Sequence, residues 1–70
     1  MNVSTHWQVG SQSRVIVQPK DEWDPPRLFM ADASSSVTLV PPADREQHPE
    51  FVQFLKELTE AARELGAMCQ

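Results

Sequence analysis

The residues with types suited to chemistry in this 70-residue chain are two histidines, one cysteine, a run of three serines and a scatter of carboxylates. Their spacing organises none of them into a reactive group. A structural zinc site wants Cys and His in short paired spacings, and His6, His48 and Cys69 are dispersed over the whole length. No metal or cofactor is therefore expected. Cys69 lies on the apolar stripe of the C-terminal segment with no reactive partner beside it and reads as a small hydrophobe. Ser34-Ser35-Ser36 has no base placed near it and no nucleophile-elbow pattern around it, so it reads as a loop tip. Two glycines, Gly10 and Gly66, are too few and too far apart for a phosphate-cradling loop. No catalytic residue is assigned, and the chain is expected not to be an enzyme.

The carboxylates do have an arrangement. Glu57, Glu60 and Glu64 lie at helical spacing with Lys56 and Arg63 interleaved. Such a run is ordinarily a solvated helix face, and it becomes a recognition surface only toward a partner that presents matching cations. It belongs to the one segment that declares its structure unaided, residues 49–69, with a helix expected over about 49–66. There Phe51, Leu55, Leu58, Ala62, Leu65 and Cys69 recur at alternating spacings of four and three, which is one stripe of a 3.6-residue helix. Phe54, Ala61 and Met68 widen the stripe on one side, and Val52 lies on the other. The stripe predicts an amphipathic C-terminal helix with Leu58 at its buried centre. Pro49 suits the first helical position, residues 43–48 form a turn or short helical turn before it, and Gly66 is a natural stop.

The first forty residues carry a strand period instead. Val3, Thr5, Trp7 and Val9 alternate with polar residues, which predicts a half-buried strand over 3–9 with Trp7 pointing inward. Gly10–Ser13 is small and polar, as a hairpin connection should be, and Arg14–Gln18 follows with three successive β-branched residues. Pro19 ends that strand, and residues 19–26 form a proline-rich acidic loop. Residues 27–31 and 37–40 make a second hairpin around Asp32–Ser36, closed by Pro41-Pro42. The expected fold is α+β: one domain over 1–70, an antiparallel meander of three to four strands, and the C-terminal helix packed on one sheet face. One helix covers only one face of such a sheet, which leaves Ile16 and Phe29 as candidate contacts on the other.

Trp23, inside the proline-rich loop, has two readings. It folds back as a lid on a small core, or it stands out as an anchor for a partner, since tryptophan is enriched at binding hot spots. The candidate protein-interaction residues are thus Trp23, Phe29, Ile16, Val52, Glu57, Glu60 and Glu64.

Charge narrows the partner. The formal charge is −4, and it all resides in residues 31–70, because the acids and bases of residues 1–30 cancel. An acidic helical half disfavours phosphate backbones. A lone cysteine suits a reducing cytoplasm, no signal-peptide pattern opens the chain, and no apolar run reaches the roughly 18 residues of a membrane span. The function expected is a small non-catalytic interaction module, a regulator, adaptor or inhibitor of another protein. It is expected to form a homodimer or small homo-oligomer, because the helix stripe and the open sheet face leave apolar surface to spare. By analogy of size and acidity alone, inhibitors and accessory factors of phages and mobile elements are such domains. The alternative is a nucleic-acid-associated regulator whose sheet holds the contacts, with Arg14 and Arg27 beside Phe29 and Trp23.

Overall fold

β-Branched and long apolar side chains stand well on a pleated surface, and three segments of this kind form the sheet. The structure, a computed structural model, describes residues 3–70. The strands are β1 (Arg14–Gln18), β2 (Arg27–Ala31) and β3 (Ser36–Leu39), antiparallel and in the order β1-β2-β3. With the helix α1 (His48–Met68) they make a small α+β fold. The chain forms two compact units, Met1–Val40 and Pro41–Gln70.

In the first unit the register sorts the side chains. Val15 faces Met30, which faces Val37, and Val17 faces Leu28, which faces Leu39. Directly opposed residues project to the same side of a sheet, so one face is wholly apolar: Val15, Val17, Leu28, Met30, Val37 and Leu39. The other face carries Arg14, Ile16, Gln18, Arg27, Phe29, Ala31, Ser36 and Thr38, with Ile16, Phe29 and Thr38 as its middle row.

The strand predicted over 3–9 does not form, and the sheet has three strands among the described residues. Residues 3–9 take no ladder position, although their alternation is regular. A carboxylate takes them elsewhere. Asp32, first residue of the β2–β3 turn, accepts the Trp7 indole Nε1–H (2.9 Å) and the Gly10 amide (2.8 Å) on Oδ2. Its Oδ1 accepts the Ser34 and Ser35 amides (2.8 and 2.7 Å), closing the turn, and the Ala33 amide reaches the Ser11 carbonyl (3.1 Å). Residues 7–11 are thereby tied to the hairpin tip by side-chain and loop hydrogen bonds, and the outer edge of β1 has no strand beside it among the described residues. Trp7 is half-buried, in keeping with its inward reading. Gln12, at φ 60°, takes the left-handed conformation that reverses the chain into β1.

In the second unit, Pro41 and Pro42 precede a 3₁₀ turn, Arg45–Gln47, where sequence reading placed a short helical turn. Asp44 caps it by accepting the Glu46 amide (3.0 Å). The helix α1 starts at His48, one residue before the predicted start, which keeps Pro49 in the first turn where no intrahelical partner for its nitrogen is needed. Glu50 also lies in that turn, where the helix dipole favours an acid. Gly66 does not stop the helix. It keeps an ordinary helical φ, and α1 continues to Met68, closed by the Cys69 amide on the Leu65 and Gly66 carbonyls. A Cβ at Gly66 would meet nothing within 4 Å. Gly66→Ala is therefore expected to stabilise the helix by roughly 0.5–1 kcal/mol, read as a higher midpoint in urea melts. A lower midpoint would refute it.

Among the described residues no side chain is fully buried. The helix stripe is half-buried only at Phe51, Leu55 and Leu58, so Leu58 is not the buried centre that its position predicts. From Ala61 onward every residue is exposed, Leu65, Met68 and Cys69 included. Among the described residues, no helix is long and apolar enough to cross a membrane.

Candidate interaction surface

A tryptophan contributes to recognition when its backbone is held and its ring is free, and Trp23 meets both conditions. Asp21 accepts the amides of Trp23 and Asp24 on Oδ1, each at 2.8 Å, and its own amide donates to the Asp24 carbonyl (3.1 Å). This Asx turn follows from the sequence, because aspartate two residues before a turn position mimics a backbone acceptor. The Arg27 guanidinium closes the far side of the loop on the Pro25 carbonyl (2.9 Å). The Trp23 amide, then that of Asp24, hold the Asp21 carboxyl below its usual range, with Arg27 adding a smaller attraction. The Trp23 side chain itself is 86% exposed. It is an outward-standing ring on a pinned turn, and the lid reading does not hold.

Ile16 and Phe29 sit directly opposite each other across β1 and β2, on the mixed face of the sheet. Ile16 is 45% exposed and Phe29 half-buried. Arg14 and Arg27 share that face at its two ends. The most exposed large apolar residues of the sheet are Val15 (66%) and Val17 (72%) on the apolar face, neither of them among the candidates from the sequence. The signal was present in the unbroken β-branched run. Such a run suits a strand buried on both faces or one with Ile16 meeting something on the outer side, and β1 is an edge strand.

On α1, Val52 is 48% exposed and the three glutamates are exposed. Glu60 pairs with Arg63 at 3.3 Å, one helical turn on, with both side chains largely in water. Such a pair contributes at most a few tenths of a kcal/mol. Glu57 and Glu64 stand on the same side of the helix with no ion pair among the described residues. The interaction candidates divide between the units: Trp23, Ile16 and Phe29 in the first, Val52 and the glutamates in the second.

The residues with reactive types have local structural partners or open solvent. His48 Nε2 lies 2.9 Å from the Pro42 carbonyl and holds the helix start to the diproline. His6 is exposed, and the Ser34 and Ser35 amides serve the Asp32 turn. No three His, Cys, Asp or Glu side chains gather as a metal-ligand group among the described residues. A cavity of about 230 Å³ is lined by Trp7, Val9, Ser13, Arg14, Val15 and Met30. Its lining offers a hydroxyl and a guanidinium but neither a carboxylate nor an imidazole, so it has no general base.

No protein-family model matches the chain, and no curated protein or solved structure matches it either.

Proposed function

We propose that the chain is a small non-catalytic protein-interaction module, a regulator, adaptor or inhibitor of another protein that works as a homo-oligomer. The observation that carries this reading is Trp23, held by the Asp21 turn with its ring in solvent. A free, pre-positioned tryptophan loses little conformational entropy on docking and brings a large apolar area with one N–H donor. The exposed apolar residues of the edge strand β1 and the exposed second half of α1 add surface that a lone chain leaves in water. A photoreactive phenylalanine analogue in place of Trp23 tests the reading in source cells. The expected result is one dominant protein adduct, absent when the same analogue replaces His6 on the exposed N-terminal segment. A diffuse or identical pattern from both positions would sink it.

One observation favours a second reading. Arg14, Arg27 and Phe29 share a sheet face, and stacking on such a face is a route to single-stranded nucleic acid. Two cations are few against a chain of net charge −4. No binding to single-stranded or duplex DNA or RNA is therefore expected at physiological salt in fluorescence anisotropy. Micromolar binding that weakens with salt and disappears in Arg14→Glu or Arg27→Glu would reverse the order of the two readings.

A further inference from the structure

The outer edge of β1 is open along its middle, with its one charge, Arg14, at one end and Pro19-Lys20 just beyond the other. Between Arg14 and Gln18 there is no proline, no lysine, no bulge and no inward charge. Its central three residues are Val15, Ile16 and Val17, all exposed. The opposite edge, β3, is one residue shorter and runs within two residues into Pro41-Pro42.

We propose that this edge pairs with β1 of a second copy, antiparallel about a twofold axis at Ile16, joining two three-stranded sheets into one of six. The proposal deepens the homo-oligomer part of the reading above by naming the surface and its register. The strand's own sequence selects that occupant. With Ile16 opposite Ile16, Val15 meets Val17 of the second copy and Arg14 meets Gln18. Each apolar residue meets an apolar one, and the arginines are kept from facing each other. Other registers lose on two counts. A slip of one residue turns one sheet over, so the apolar face of one copy continues into the mixed face of the other. A slip of two keeps the faces but shortens the ladder from five residue pairs to three. Extension past Gln18 is closed because Pro19 has no N–H, and extension before Arg14 is limited by the left-handed residue Gln12.

The faces match as well. In the Ile16-centred register the row Leu39–Leu28–Val17 runs on into Val15–Met30–Val37 of the second copy, and the symmetric row does the same. The two apolar faces become one continuous surface, and the ladder adds about four to six backbone hydrogen bonds whichever set of β1 amides points outward. The interface is isologous, so it closes at two copies.

The test uses the full chain with Cys69→Ser to remove the native thiol. Ile16→Cys should cross-link to itself under mild oxidation, because directly opposed antiparallel residues have Cα atoms within disulfide reach. Val15→Cys and Val17→Cys should each cross-link poorly alone and efficiently when mixed. In sedimentation equilibrium, Val15→Lys with Val17→Lys should weaken the dimer at least tenfold, since lysines then face each other. Val15→Lys with Val17→Glu should restore it, since each lysine then faces a glutamate, with circular dichroism checking that both fold. A monomer up to about 100 μM for the native chain would overturn the proposal. So would a dimer indifferent to the lysine pair and uncrosslinked at Ile16→Cys, which would place the association elsewhere and leave the homo-oligomer reading standing. Loss of the Trp23 adduct with this dimer intact would count against the partner reading alone.

Discussion

Asp32→Ala is expected to free residues 7–11 from the sheet and open the β2–β3 turn in one step. One carboxylate holds both, accepting Gly10 and Trp7 on one oxygen and Ser34 and Ser35 on the other. The isosteric Asp32→Asn separates the two roles. Its carbonyl oxygen can still accept the turn amides, but its NH₂ would then face the Trp7 and Gly10 donors and repel them. With Trp23→Phe as background, Trp7 is the only indole. Its emission should shift to the red in both variants, while slowed amide exchange in 32–35 should persist in asparagine and vanish in alanine. Unchanged Trp7 emission in both would mean that Asp32 does not tether the N-terminal segment. The pH dependence has a definite sign. The Gly10 amide first, then the Ser34 amide, the Trp7 indole and the Ser35 amide hold the carboxyl far below its ordinary value of 3.8. A depressed folded-state pKa means that the charged form stabilises the fold above the ordinary value, and that this contribution is lost as pH falls below it. The difference in melting temperature between native chain and Asp32→Asn should therefore be constant from about pH 5 to 8 and shrink below about pH 4. A difference that shrinks on raising the pH would contradict the assignment.

Trp23→Ala is expected to cost partner binding at least about 2 kcal/mol, or roughly thirtyfold in Kd, while leaving stability within about 0.5 kcal/mol. The asymmetry follows from exposure, because a ring 86% in solvent gives the fold little to lose. Once the protein cross-linked through position 23 is in hand, calorimetry on both variants measures the ratio. Asp21 refines the point. Asp21→Ala removes the acceptor of the Trp23 and Asp24 amides, so the turn must be ordered on binding and affinity should fall severalfold with the ring still present. Asp21→Asn retains an acceptor at Oδ1 and should recover most of the loss. Equal affinity for Trp23→Ala and the native chain would remove Trp23 from the interface.

Much of this was legible in residue order because it is local. The stripe from Phe51 to Cys69 specifies α1 through backbone periodicity alone, and Pro19 and Pro41-Pro42 end strands because they lack an amide donor. That Trp23 would be either lid or anchor was readable too, but an indole's preference for a core or for a partner depends on what lies across from it.

What the tertiary structure decided are the matters of long sequence separation. Val3–Val9 has the period of a strand, yet a strand needs a partner edge, and the carboxylate 25 residues beyond Trp7 claims the indole instead. The β-branched run of β1 looks interior by composition, and only the strand order makes it an edge with Val15 and Val17 in solvent. By itself the sequence determined the helix, the proline breaks and the three segments that do form strands, since those follow from dihedral preference and period within a few residues. Which strand lies at the edge, where Asp32 reaches and which rings remain free required the folded chain, because pairing across tens of residues is selected by the competition among all of them for the same donors and faces.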